Sequence, residues 1–168
     1  GPNPPVINLG TLAGVYTTPA IHVDVTGVFT NTNPMRPYRG AGRPEAAYVI
    51  ERPVDLAADE LGMDAAENRR RNTIPPEAMP YKTALTFTYD SGEFEKNMDI
   101  ALDMARYAGF EERRQAAAKR GRLRGIGLSN TIERAAAGGI EGGEIRFDRT
   151  GTATIVSGSI TQGQGHET

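Results

Sequence analysis

Two arginines enclose a glycine-rich turn in the stretch RGAGRP. Arg39 and Arg43 flank Gly40, Ala41 and Gly42. Glycine lets backbone N–H groups approach a ligand closely, and guanidinium groups suit anionic or carbonyl oxygens. A helix predicted to begin just after this turn would add its positive end at the same place. The pattern therefore indicates a site for an oxygen-rich or anionic ligand, although taken alone such a stretch is more often a plain turn.

A second polar turn alternates amides with glycines in the stretch TQGQGHET. Its candidate ligand-binding residues are Gln162, Gly163, Gln164 and Gly165. An amide side chain both donates and accepts hydrogen bonds, which suits a cofactor rich in heteroatoms. Taken alone, this stretch too is more often a plain turn after a strand. We expect residues 162–168 of this chain to be exposed and poorly ordered.

Other polar clusters favour structural interpretations over chemistry. The run Arg69–Arg71 predicts a solvated helix end, where positive charge complements the helix dipole. His22 has no second histidine at metal-ligand spacing, so we predict a surface or packed side chain. Asp55, Asp59 and Glu60 predict a solvated helix face. The stretch GIGLSNTIE lacks the Lys-Ser/Thr ending of a phosphate-binding loop, and no metal site is predicted.

Composition limits the classes of function. The 168 residues carry a net charge of -2, which gives no overall basic field for nucleic acid or an anionic membrane. Cysteine is absent, which excludes disulfides, thiolate metal sites and a cysteine nucleophile. No apolar run is long enough to predict a membrane span, and no signal peptide is apparent. We expect a cytoplasmic protein with a small-molecule substrate.

Helical periodicity dominates the middle of the chain. It predicts a helix over residues 44–61, which Pro53 should kink or split. Asp64 and Glu67 occupy the capping-box positions of a second, short helix. Two further helices are predicted over residues 92–107 and 110–119. The predicted apolar face of the first helix consists of Ala47, Ile50, Val54, Ala57, Ala58 and Leu61.

Alternating apolar and polar residues predict strands on both sides of the helices. The stretch IHVDV, from Ile21, predicts the first strand, and TALTFTY predicts another short one. Three strands are predicted after Gly121, the last two forming a hairpin around residues 148–151. The order of a strand, a helical segment and then antiparallel strands indicates the α+β class. We predict an irregular lead-in over 1–20, a helical part over about 44–120 and a strand part over about 121–168.

In combination, the two glycine turns resemble a known family. The stretches PYRGAGRPEAAYVIE, DELGMDAAENRRRNTIP and GSITQGQGHET occur in the order found in the large subunits of the molybdenum hydroxylases, which comprise xanthine dehydrogenase, aldehyde oxidase and aerobic carbon monoxide dehydrogenase. The resemblance runs from about Ile21 to Thr168 and is greatest for carbon monoxide dehydrogenase-like large chains of the second type. It implies that the chain is a fragment of the region that binds molybdopterin, in its cytosine dinucleotide form, with molybdenum.

The resemblance implies roles for individual residues. Arg39, Gly40 and Ala41 would contact the molybdenum end of the cofactor, and the four residues from Gln162 to Gly165 would hold the pterin. Gly40 replaces the cysteine that carries copper in true carbon monoxide dehydrogenases, which disfavours carbon monoxide oxidation. Ala41 stands where purine-oxidising members place a substrate-stacking phenylalanine. Pro37 departs from the alanine common in the family.

The family's general-base glutamate lies outside this chain, so no catalytic residue is assigned. The resemblance implies a parent enzyme that oxidises a C–H bond of an aldehyde or heterocycle with water-derived oxygen and passes electrons to iron–sulfur and FAD subunits. We expect this chain alone to be inactive, to bind no cofactor and to expose apolar patches. An alternative is a non-enzymatic α+β module that binds a phosphorylated ligand or a protein through its arginine turn.

Overall fold

In a computed structural model, the protein divides into two compact units, residues 1–133 and 134–168. The structure describes residues 9–33, 40–133 and 142–159, together with residues 161, 163 and 165. Within that part the chain is α+β, as predicted, with four α-helices and two small antiparallel sheets. The helices are α1 (Arg43–Leu61), α2 (Ala65–Asn72), α3 (Phe94–Met104) and α4 (Phe110–Ala118). The strands are β1 (Tyr81–Lys82), β2 (Thr88–Tyr89), β3 (Gly143–Phe147) and β4 (Ala153–Ser157).

Glycines delimit α1 at both ends. Gly42 precedes the helix with φ of 102°, and Gly62 follows it with φ of 61° and donates its N–H to the carbonyls of Ala58 and Asp59. The predicted split at Pro53 is wrong, because α1 runs through that residue as one helix. Proline removes one hydrogen bond to a carbonyl four residues earlier, here that of Val49. Both residues are exposed, so water can hydrate that carbonyl.

The predicted apolar face of α1 is confirmed only in part, since Ala47, Ile50 and Val54 are half-buried. Of its six residues only Ala58 is buried, and Leu61 is 68% exposed. The buried residues of the helix are Ala46, Glu51 and Ala58. A carboxylate thus lies on the inner side of α1, and burial of a charge requires a partner.

The partner comes from α2. Asp64 caps this helix as predicted, since its Oδ1 accepts the N–H groups of Ala66 and Glu67 at 2.9 and 3.0 Å. The prediction of a solvated arginine run is wrong for Arg69, which is 0% exposed. Arg71 does lie on the surface, where it pairs with Glu67. Three adjacent arginines point in different directions around a helix, so one of them faces inward.

Replacing Asp64 by alanine is expected to lower the free energy of unfolding by about 1 kcal/mol, because two N–H groups at the start of α2 lose their acceptor. The hydroxyl of Tyr107, which donates to Asp64 Oδ2 at 2.9 Å, loses its partner as well. Urea denaturation measures the change. Asp64→Asn keeps a capping oxygen and should cost only a few tenths of a kcal/mol; equal costs for the two variants would refute the capping role.

The core of the first unit lies between the 3-10 helix Leu9–Ala13, the segment that follows it, and the helices. Val15 and Ile74 are fully buried, and the amide of Ile74 donates to the carbonyl of Val15 at 2.9 Å. Tyr89 donates its hydroxyl to the Gly14 carbonyl at 2.8 Å and packs edge-on against Phe94. Burial therefore fixes the N-terminal segment against the turn that precedes α3.

Two strand predictions in the first unit are wrong. The first is the strand predicted from Ile21, and the second is the strand predicted directly after Gly121. Neither residues 21–30 nor residues 122–133 pair as a strand with other described residues. Alternation predicts a strand only where a partner edge exists, and most of the side chains from 21 to 30 are exposed. The stretch TALTFTY contributes only Thr88–Tyr89, paired antiparallel with Tyr81–Lys82.

The second unit contains the predicted hairpin. Strands β3 and β4 pair antiparallel with Ile145 opposite Ile155 and Phe147 opposite Ala153. These residues share one face, and Phe147 is 78% exposed. Exposed apolar side chains were expected, and the hairpin shows them. No helix among the described residues has the length and apolar character needed to cross a membrane.

Alkaline pH should destabilise the first unit. Burial raises the pKa of Tyr89 to about 12, and burial together with the hydrogen bond to Asp64 raises the pKa of Tyr107 to about 12. The folded-state pKa exceeds the unfolded value of about 10, so the stabilisation is complete below pH 10 and is lost as pH rises from about 10 to 12. Urea unfolding at several pH values should show a falling free energy across this window. Tyr89→Phe should flatten the fall, and an unchanged slope would contradict the assignment.

Candidate functional site

The arginine–glycine turn lies directly before α1. Gly40, Ala41 and Gly42 have φ values of 85°, 48° and 102°, all in the left-handed region. The turn closes through the amide of Arg43, which donates to the Gly40 carbonyl at 3.0 Å. Three successive left-handed residues are tolerated here because two of them are glycine. Arg39, the other predicted contact of this turn, lies outside the described residues.

Gly40 also lacks space for a side chain. A Cβ atom at this position would lie 2.5 Å from Cδ and 2.8 Å from Cγ of Pro44. The proline ring is rigid, so the clash could not be relieved by rotation of a side chain. A cysteine at position 40 would meet both this clash and an unfavourable φ, so its absence agrees with the local backbone.

A cleft of about 240 Å³ opens beside this turn. Arg43 on one wall and Glu133 on the other form an ion pair, with Arg43 Nε 3.0 Å from Glu133 Oε1. Arg43 Nε is buried and makes no aligned hydrogen bond to another described residue, so the contact is ionic only. Nη1 of Arg43 donates a long hydrogen bond, 3.4 Å, to the Gly40 carbonyl. The cleft wall around Glu133 consists of Asn130, Thr131, Ile132 and Glu133.

A buried charge cluster lies behind the cleft. Glu51 Oε2 accepts from Arg69 Nε at 2.9 Å, and Glu51 Oε1 accepts from the Tyr16 hydroxyl at 2.5 Å. Arg69 also pairs with Asp55 at 2.8 Å. The prediction of a solvated side chain is therefore only partly right for Asp55, which is half-buried and pairs with a buried arginine. The cluster joins the N-terminal segment, α1 and α2 through side chains.

The pKa values in this cluster follow from burial and charge. Burial opposes the charged form of Arg69, but hydrogen bonds to Asp55 and Glu51 outweigh it and raise the pKa of the guanidinium. Burial, followed by the hydrogen bond to Glu51, raises the pKa of Tyr16. Tyr16 and Arg69 therefore keep their protons, and Glu51 accepts from both.

The second predicted loop belongs to the second unit. Gly163 and Gly165 have φ values of 104° and 77°, and both are exposed, as expected. Gln162, Gln164 and residues 166–168 lie outside the described residues. The structure therefore brings Gly40 and Ala41 together in one turn, whereas in the second loop it describes only Gly163 and Gly165, which also have positive φ.

Some of the residues that line the cleft were not predicted from the sequence. Glu133 and Asn130 line it without any motif that marks them. Glu51 carried a usable signal, since it lies seven residues before Ala58 and so shares its helix face. A glutamate among small residues on a helix face, with an arginine run following, indicates a buried ion pair. Among the described residues, no group of three or more His, Asp or Glu could hold a metal ion.

Comparison with known proteins identifies the family. Residues 1–73 and 101–168 each match a family described as molybdopterin cofactor-binding domain. The chain is 34% identical over 167 residues to the 6-hydroxypseudooxynicotine dehydrogenase complex subunit gamma of Paenarthrobacter nicotinovorans, covering 96% of this chain and 21% of that protein. It is 40% identical over 174 residues to the carbon monoxide dehydrogenase large chain of Hydrogenophaga pseudoflava, covering 93% and 21%.

A solved structure agrees with this assignment. Quinoline 2-oxidoreductase from Pseudomonas putida 86 superposes with a TM-score of 0.62 at 28% identity, covering 77% of this chain and 18% of that one. The chain spans about a fifth of the length of the curated relatives it matches. It belongs to the molybdopterin cofactor-binding domains of the molybdenum hydroxylase large subunits.

Proposed function

We propose that this chain forms part of the molybdenum-cofactor site in a large subunit that oxidises a C–H bond of an aldehyde or heterocycle with water-derived oxygen. The observation that carries the proposal is the backbone of the two predicted cofactor loops. Gly40, Gly42, Gly163 and Gly165 all have positive φ. Turns of this kind present main-chain groups to a ligand without side chains in the way, which is what a pterin-binding loop requires.

The residues present fit a molybdopterin group. The turn at Gly40–Gly42 stands at the positive end of a 19-residue helix, and such ends favour anionic and oxygen-rich groups. Arg43 adds a guanidinium whose Nε has only an ionic contact. When bound, the cofactor would supply the molybdenum centre at which the substrate is oxidised. The chain's own residues bind and orient it.

We assign individual roles on this basis. Arg39, Gly40 and Ala41 contact the molybdenum end, and Gln162, Gly163, Gln164 and Gly165 hold the pterin of a cytosine dinucleotide. The small side chain of Ala41 gives no aromatic surface on which to stack a purine. Gly40 offers no thiol for copper, which disfavours carbon monoxide oxidation. Two of the named relatives, a 6-hydroxypseudooxynicotine dehydrogenase and a quinoline oxidoreductase, favour a nitrogen heterocycle as the substrate.

The experiment compares the 168-residue chain with a large subunit of the relatives' length that contains it. The large subunit is co-produced with iron–sulfur and FAD subunits in the cytoplasm of a host that makes the cofactor. We expect dye-linked oxidation of quinoline-type heterocycles or aldehydes, and none of carbon monoxide. The 168-residue chain should be silent, because no carboxylate in it matches the general base. Turnover with carbon monoxide, or stoichiometric molybdenum and turnover in the 168-residue chain, would overturn the proposal.

A further inference from the structure

The segment Leu128–Glu133 joins no sheet in the described chain, yet two of its backbone groups have buried partners. Arg69 Nη2 donates to the carbonyl of Leu128 at 2.8 Å. The amide of Asn130 donates to Glu51 Oε2 at 3.0 Å. Arg69 and Glu51 are themselves paired at 2.9 Å. One buried ion pair therefore binds both a backbone carbonyl and a backbone amide of the same short segment. A neighbouring strand would bind the same two kinds of group.

The same segment continues into the cleft wall. From Asn130 to Glu133 it faces the turn that precedes α1, and Glu133 ends on Arg43. The Asn130 side chain adds a hydrogen bond to the Phe94 carbonyl at 3.3 Å. No backbone hydrogen bond to another described residue holds Ser129 or residues 131–133. The wall is therefore held at its Leu128–Asn130 end by Arg69 and Glu51, and at its other end by the ion pair between Glu133 and Arg43.

We propose that Glu51 and Arg69 are positioning residues that fix the cleft wall against the start of α1, so that the Glu133 carboxylate stays on Arg43. A buried ion pair can often be replaced by apolar side chains with little loss of stability. Stability alone therefore accounts poorly for this pair, whereas the two backbone bonds to Leu128 and Asn130 need an acceptor and a donor, which apolar side chains lack. The positioning role itself does not depend on the proposed function. Only the statement that this cleft belongs to the cofactor site rests on it.

The first test is amide hydrogen exchange, followed by NMR, in the unaltered 168-residue chain without cofactor. The Asn130 amide should exchange at least about tenfold more slowly than the amides of Ser129 and Thr131, because only its opening requires the buried cluster to separate. Equal exchange at the three positions would overturn the proposal. This measurement involves no substitution, so it does not depend on a variant that folds.

The second test uses Glu51→Gln, which keeps the shape and an oxygen acceptor but removes the charge. The Asn130 amide resonance should move upfield and its exchange should accelerate about tenfold, since a charged acceptor makes the stronger hydrogen bond. The Arg43 Nε resonance should shift as well, although Arg43 does not touch Glu51. The exposed Asp59→Asn on the same helix is the matched control and should move neither resonance.

Two results of the second test would count against positioning. If Glu51→Gln lost protection throughout α1 and α2 in proportion to Asn130, the pair would be a global stabiliser only. If exchange of the Asn130 amide accelerated while the Arg43 Nε resonance stayed unchanged, the Glu51–Arg69 pair would not position the cleft wall. Neither test involves a cofactor, so their failure would not affect the proposed function. Failure of the enzyme assay would likewise not affect the positioning role of Glu51 and Arg69.

Discussion

Replacing Glu51 by leucine is expected to lower the free energy of unfolding by about 3–5 kcal/mol, because it leaves a buried guanidinium short of its main counter-ion. Arg69 is 0% exposed, so water cannot replace the lost carboxylate. The amide of Asn130 and the hydroxyl of Tyr16 lose their acceptor at the same time. Asp55 still pairs with Arg69 and keeps part of the charge compensated. Chemical denaturation of the 168-residue chain measures the loss.

Two controls separate the buried charge from a general effect of substitution. The double variant with Glu51→Leu and Arg69→Met removes both charges and should recover much of the stability. Glu111→Gln removes a carboxylate from an exposed ion pair with Arg114 and should leave stability nearly unchanged, because water screens that pair. A Glu51→Leu cost as small as that of Glu111→Gln would show that Arg69 finds another partner or reaches water.

Gly40→Ala is the second substitution with a large expected effect. The left-handed φ of 85° disfavours any side chain by about 1–2 kcal/mol. The new Cβ would also lie 2.5 Å from the Pro44 ring, which must shift with the first turn of α1. We expect a total loss of about 2–4 kcal/mol in the free energy of unfolding, in the range of other strained backbone positions. Thermal and urea unfolding both report it.

Gly62→Ala is the matched control for that prediction. Gly62 also has a positive φ, 61°, at the opposite end of α1, but a Cβ there would meet no atom within 4 Å. Its cost should be the conformational part alone, about 1 kcal/mol. The difference between the two variants therefore isolates the contact with Pro44. Equal losses would mean that the turn adjusts freely and that Gly40 is not held by the proline.

Sequence patterns correctly predicted the elements that depend on contacts between residues close together in the chain. Asp64 caps α2 because its side chain reaches two nearby amides, and that depends on residues within three positions. Gly62 ends α1 for a similar reason. The hairpin of β3 and β4 also forms between neighbouring segments, with a turn from Asp148 that contains Gly151 at positive φ. These features require no knowledge of what packs against them.

Most of the failures involve contacts between distant residues. Arg69 was expected at the surface because an arginine run on a short helix usually is, but its partners lie 18 and 59 positions away. The segment that begins at Leu128 was predicted to be a strand because of its alternating pattern. It pairs with no strand among the described residues, and two of its backbone groups bind side chains instead. Periodicity describes one segment and carries no information about the partner that satisfies its backbone.

The proposed cofactor loops were inferred by a different route. Arg39, Gly40 and Ala41, like the residues from Gln162 to Gly165, emerged from resemblance, since neither turn alone separates a ligand site from a plain loop. The backbone angles of the glycines agree with that assignment. Glu133, in contrast, belongs to no motif, and only the fold places it opposite Arg43.

The most direct test of the proposed cofactor role is the molybdenum and pterin content of a large subunit that contains this sequence. Arg39→Ala and Gln164→Ala each remove one predicted contact, whereas Arg71→Ala alters an exposed arginine outside both loops. Loss of a hydrogen bond worth about 1.5–3 kcal/mol weakens binding by about tenfold or more. We predict that both loop variants lose most of their molybdenum and pterin while Arg71→Ala retains the wild-type content. Wild-type content in both loop variants would contradict the account.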